Sequence, residues 1–177
     1  MANELIMSSL PKITTLKQFI NILYQGTGYE SYANLLQSID FGAKEVEPLC
    51  FWNPEEYSRI SIDKGDSFEL VLMCWEPEQS TPIHNHNLLE GWIYVIDGQL
   101  TEESFIPANG KTTTLKGKEV INSGDVSYIN DELGVHRVTN SHKGRTISLH
   151  LYSGSIGEVN TYEEGTRNIE KITLHHD

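Results

Sequence analysis

Between residues 57 and 152 the chain is a run of short apolar or alternating segments, each closed by turn residues. Residues 57–62 alternate, Asp63-Lys64-Gly65-Asp66 turns, and residues 68–75 form a dense apolar strand. Alternation with a period of two marks a strand with one buried face, whereas an unbroken apolar run marks one buried on both. Glu76-Pro77-Glu78-Gln79-Ser80 is a loop. Residues 92–96, Asp97-Gly98 and residues 100–105 read as a hairpin, because Asp-Gly is the strongest short hairpin turn. Asn109-Gly110-Lys111 predicts another turn before residues 112–115. Segments 119–121, 126–129, 135–139 and 146–152 continue the pattern, and 169–174 is expected to be a last strand. No helical crossover interrupts the series. Such a chain buries its apolar faces as an antiparallel sandwich or barrel, so the expected class is mainly all-β.

The segment before residue 45 has a different period. Leu16, Phe19, Ile20 and Leu23 are spaced for a helix capped by Thr14 or Thr15, and Gly26-Thr27-Gly28 breaks it. Tyr32, Leu35, Leu36 and Ile39 repeat the pattern up to Asp40-Phe41-Gly42. Two short helices over residues 14–40 are expected to cover one end of a sheet, and residues 1–12 are expected to fray. The β part would span about 45–175, and residues 1–177 would form one domain, with no repeat or linker to divide them.

The balance of 13 Lys and Arg against 25 Asp and Glu, a net charge of -12, argues against nucleic acid or an anionic membrane as partner. No stretch reaches the ~20 apolar residues of a membrane span, and no basic start leads into an apolar run. Cys50 and Cys74 form no spaced disulfide framework. A cytoplasmic location is therefore the expectation; a monomer is expected as well.

Two histidine motifs carry the chemistry. In a strand, side chains two apart share a face, so His84 and His86 in Pro82-Ile83-His84-Asn85-His86 would project side by side. His-x-His also arises by chance, and two imidazoles need a third ligand to hold a divalent metal. His136, in Gly134-Val135-His136-Arg137-Val138, is the candidate. Three neutral imidazoles leave the ion its full positive charge and open positions, an arrangement suited to an anionic substrate followed by dioxygen or water. Residues 146–152 form a further row: Ile147, Leu149 and Leu151 on one side, Ser148, His150 and Tyr152 on the other. Read alone, this is a half-buried strand with a polar face. It is no serine hydrolase element, because the chain has no Gly-x-Ser-x-Gly elbow.

The pattern His84-x-His86, Gly98, Gly124 and His136-x-x-x-Asn140 resembles the two motifs of the cupin superfamily, whose fold is a double-stranded β-helix jelly roll. Tyr57-Ser58-Arg59, Cys74-Trp75, Tyr128-Ile129-Asn130-Asp131 and Ser148-Leu149-His150-Leu151-Tyr152-Ser153 bring the likeness closer to the cysteine dioxygenase family, over roughly residues 50–155. That resemblance implies one Fe(II) per chain on His84, His86 and His136. It further implies that Arg59 pairs with the substrate carboxylate, that Tyr57 and Trp75 wall the pocket, and that Ser148, His150 and Tyr152 form a hydrogen-bond relay in which His150 holds the Tyr152 hydroxyl. The implied reaction converts L-cysteine and O2 to cysteine sulfinic acid. Related mercaptopropionate dioxygenases carry glutamine where Arg59 stands, so Arg59 favours cysteine.

There are departures. Animal members carry a cysteine where this chain has Gly91, and it cross-links to the tyrosine matching Tyr152; glycine forbids that link. Many cupins also place a Glu ligand shortly after His-x-His. Glu90, of the same strand parity as the histidines, has three readings: a surface or hydrogen-bonding residue, a group supporting the ligands from outside, or a fourth ligand. Two alternatives to cysteine oxidation stand: the same chemistry on 3-mercaptopropionate or cysteamine, and a non-catalytic ligand-binding cupin.

Overall fold

A computed structural model describes residues 11–26, 31–107 and 112–177. The expected turn at Asn109-Gly110-Lys111, most of the Gly26-Thr27-Gly28 break and most of the segment 1–12 lie outside them.

Helix α1 (Leu16–Gln25) starts where its cap chemistry demands: Thr15 is extended, and its Oγ1 accepts from the Gln18 N–H at 3.1 Å. Ser31 caps α2 (Tyr32–Gln37) in the same way, through the Asn34 N–H. That helix ends sooner than its apolar spacing predicts. Ile39 leaves it to make a parallel bridge with Ile13, and the Ile13 carbonyl accepts from the Asp40 N–H at 2.7 Å. A third helix, α3 (Ala43–Val46), is too short to leave a periodic trace in the sequence.

Eleven strands follow in the described residues: β1 (Ser58–Lys64), β2 (Glu69–Trp75), β3 (Ile83–His84), β4 (Gly91–Asp97), β5 (Gln99–Ile106), β6 (Thr114–Asn122), β7 (Val126–Ile129), β8 (Val135–Thr139), β9 (Thr146–Tyr152), β10 (Glu158–Tyr162) and β11 (Ile169–Thr173). They form two sheets with antiparallel ladders, ordered β1-β2-β9-β4-β7 and β11-β10-β3-β8-β5-β6. This is the all-β jelly roll that the sequence led us to expect.

Strands β2 and β9 are buried at every residue because both faces of their sheet are covered. Leu70, Leu72 and Cys74 of β2 face outward onto Leu16, Phe19, Leu35 and Leu36, while Val71, Met73 and Trp75 face inward with Ile93, Val95 and Tyr152. The helices thus cover the outer face of the five-stranded sheet rather than its end, and the inner face turns toward the site.

Three segments differ from their sequence reading. Asp97-Gly98 is not a hairpin turn: β4 pairs with β7 and β9, whereas β5 pairs with β6 and β8. The chain crosses from one sheet to the other at Gly98 (φ 87°), whose missing side chain lets the backbone pass Thr146 and the Arg145 carbonyl. The hairpin is instead β5–β6, in which the two expected strands 112–115 and 119–121 run as one. Strand β10 carries too little alternation to be read beforehand, and it pairs β11 with β3.

Candidate metal centre

His84 and His136 face one another directly across the β3–β8 ladder. His86 reaches the same point differently. The strand β3 stops at His84, so His86 sits in the following loop rather than on a shared strand face. All three rings nevertheless converge, with one ligand nitrogen from each lying within 4.8 Å of the others.

The outer nitrogens decide which atoms point inward. His84 Nδ1 donates to the Pro82 carbonyl at 2.9 Å, and His136 Nδ1 donates to Glu102 Oε1 at 2.5 Å. Both Nε2 lone pairs are then left for the centre, the arrangement by which an acceptor on Nδ1 fixes a metal-binding tautomer. Glu102 is itself buried and accepts a short hydrogen bond from the Ser127 hydroxyl. Burial opposes its ionisation, but the hydrogen bonds from His136 and Ser127 outweigh burial and hold its carboxyl below the ordinary value. His86 Nε2 lies 3.2 Å from His136 Nε2, and its Nδ1 is buried without a partner.

A second carboxylate holds the His86 loop. Asp131 accepts from the backbone N–H of His86 and of Leu88, each at 2.9 Å, and from the Asn85 side chain at 3.3 Å. Asn87 and Leu88 both have positive φ, 53° and 71°, a conformation that costs about 1–2 kcal/mol per non-glycine residue and persists only when tied down. Glu102 and Asp131 escaped the sequence reading. Asp131 stood in a quoted motif without a role, and Glu102 carried only the faint signal of an acid inside a strand.

Burial lowers the pKa of His84 to about 3, with the nearby His136 adding to the effect. Burial likewise pushes His86 and His150 well below the ordinary imidazole value. Neutral imidazoles are what a divalent ion requires, and the convergent nitrogens suit a borderline metal with open positions.

Beside the histidines a small cavity is bordered by Arg59, His150 and Tyr152, and an adjoining one shares Arg59, His84 and Tyr152. Arg59 is 8% exposed, and neither its Nε nor its Nη2 has a partner. A buried guanidinium with free donors is a strong pull on a carboxylate. Tyr57 borders the second cavity. Trp75 stands a layer behind it, fully buried, stacked on the Tyr57 ring at 4.8 Å and bordering neither cavity.

The Trp75 indole N–H donates to Ser148 Oγ at 3.0 Å, and Ser148 Oγ shares a 2.9 Å hydrogen bond with His150 Nε2. No hydrogen bond joins His150 to Tyr152 among the described residues, and their ring centroids are 6.5 Å apart. The polar face of β9 is thus buried, where a half-buried strand was expected.

Glu90 is exposed and accepts from the Tyr128 hydroxyl at 2.6 Å, away from the three-histidine group. Gly91 lies opposite Tyr152 in the β4–β9 ladder, and a Cβ there would touch His86 Cε1 at 3.4 Å.

A jelly roll that gathers three histidines around a cavity is a metal-binding cupin. Among solved structures, a double-stranded β-helix protein from Klebsiella pneumoniae matches with a TM-score of 0.55 at 18% identity, over 67% of this chain and 95% of that one. The family model for cysteine dioxygenase type I matches residues 4–165. Cysteine dioxygenase type 1 of Danio rerio is 30% identical over 175 residues, covering 92% of this chain and 87% of that protein. The Homo sapiens protein of the same name is 27% identical over 172 residues, covering 92% and 86%. The chain belongs to the cysteine dioxygenase type I family.

Proposed function

We propose that this protein is an Fe(II)-dependent dioxygenase that converts L-cysteine and O2 to cysteine sulfinic acid. The observation that carries the substrate is Arg59, a buried guanidinium with two unpaired donor atoms on the same cavity as the three histidines. Family membership carries the reaction class.

Fe(II) held by His84, His86 and His136 supplies a positive centre that lowers a thiol pKa and activates dioxygen. The residues of the chain do the rest. Arg59 takes the carboxylate and so aims the thiol at the histidines, which turns an encounter into a positioned reaction. The Tyr152 hydroxyl donates a hydrogen bond to the substrate or to dioxygen. Ser148, held by Trp75, fixes the His150 ring beside it. Both oxygen atoms finish on sulfur, and no other reductant is needed. Glu90 takes no part in the centre in this reading.

The proposal extends to the setting: one iron per chain and a cytoplasmic monomer acting as a single cupin domain over residues 1–177. Support comes from the free Cys50 and Cys74, and from the helices packing directly on the barrel. Among the described residues no helix is long and apolar enough to cross a membrane.

The deciding assay loads the chain anaerobically with Fe(II), admits oxygen, and follows its consumption and product mass with L-cysteine, 3-mercaptopropionate and cysteamine in parallel. We expect L-cysteine to be preferred and to gain two oxygen atoms. No turnover of any thiol defeats the dioxygenase reading, and a preference for 3-mercaptopropionate defeats the role of Arg59. His86→Ala should abolish iron retention, whereas Arg59→Ala should keep the iron and raise the KM for cysteine by about 100-fold or more, the scale for stranding a buried charge-paired group.

A further inference from the structure

Strand β1 is the edge of its sheet, so the outward backbone groups of Arg59 have no neighbouring strand to meet. They are met instead by Asp177. The Arg59 N–H donates to Asp177 Oδ2 at 2.9 Å, and the Asp177 N–H donates to the Arg59 carbonyl at 2.8 Å. The residues leading to Asp177 are pinned twice more. Leu174 N–H bonds the Gly157 carbonyl at 2.9 Å, and His176 Nε2 lies 3.3 Å from Oε1 of the buried Glu69, whose Oε2 accepts from the Ile156 N–H. Between these pins, Ile172 and Leu174 form the outer apolar wall of the cavity into which Arg59 opens.

We propose that residues 172–177 are a strap that fixes the substrate arginine and closes the substrate cavity, with Asp177 as the positioning residue for Arg59. The inference rests on the reading of Arg59 as carboxylate anchor. Its physical content is that an edge strand is free to splay, and a guanidinium on a splayed strand loses its aim. Two hydrogen bonds on either side of the Arg59 α-carbon remove that freedom, and the apolar wall keeps water from competing for the guanidinium. The cavity therefore takes a short thiol carboxylate whose charged end sits at the strap and whose sulfur points to the histidines.

The test is a double-mutant cycle on L-cysteine affinity, read by anaerobic calorimetry on the Fe(II)-loaded chain so that no turnover is required. Asp177→Ala should weaken binding about fivefold, the worth of one hydrogen bond. Asp177→Asn, which keeps an acceptor for the Arg59 N–H, should recover most of that loss. In an Arg59→Ala background, Asp177→Ala should have no further effect, because the aspartate acts through the arginine. Unchanged affinity in Asp177→Ala, or losses that add fully in the double variant, overturns the strap. Wild-type protein that binds no L-cysteine overturns the carboxylate-anchor reading and the strap with it, and the wild-type titration separates that result from failure of the strap alone.

Discussion

The chemistry of this site begins with what surrounds each ring nitrogen. His84 and His136 each have an oxygen on Nδ1, so each presents Nε2 inward; for His136 that oxygen belongs to Glu102. Replacing Glu102 by alanine leaves a buried N–H without its acceptor and a ring free to turn. We expect Glu102→Ala to weaken metal binding by about 10- to 100-fold, and Glu102→Gln, which keeps an acceptor, to recover part of it. Competition against a chelator of known affinity measures both, and unchanged affinity in the alanine variant removes Glu102 from this role. Cys74 illustrates the opposite case. Burial and the adjacent Cys50 push its thiol up to about 12, so it packs as a small hydrophobe.

At the level of elements, local pattern and outcome agree where burial is regular and part where the path depends on another segment. Strands β7, β8 and β9 run over the residues that the sequence predicts. The crossing after β4 does not follow its dipeptide, because the ladder positions beside β4 are taken by β7 and β9. Gly98→Ala tests that account. It puts a side chain at φ 87° and a Cβ 2.9 Å from the Arg145 carbonyl, so we expect a loss of about 2 kcal/mol in urea unfolding. Unchanged stability in Gly98→Ala contradicts that close approach. The His86 loop follows the same logic: its shape is set by Asp131, 45 residues away in sequence.

Across the whole molecule, neutral histidines in and against the core make stability depend on pH. His84, His86 and His150 have folded-state pKa values below that of the unfolded chain, so as pH falls the unfolded chain binds protons first. The stability they contribute is complete above the unfolded value of about 6.5 and is lost progressively as pH falls from there toward about 3, where His84 protonates in the folded state as well. The melting temperature of the metal-free chain should therefore drop steadily between about pH 7 and pH 5. A flat profile over that interval contradicts the neutral state of these rings. Bound metal adds to the slope, since protons compete with it for the same nitrogens.

The sequence by itself determined the all-β class, the helical cover, the three histidines and the row of Ser148, His150 and Tyr152. Each of these rests on short-range spacing or on residue types whose chemistry is restrictive. Tertiary structure alone decided the rest. It put Glu102 behind His136 and Asp131 under His86, moved Trp75 from the pocket wall to a place behind Tyr57, and brought Asp177 onto Arg59. The reason is physical: periodicity reports which face of a segment is buried, but not which distant side chain meets it there.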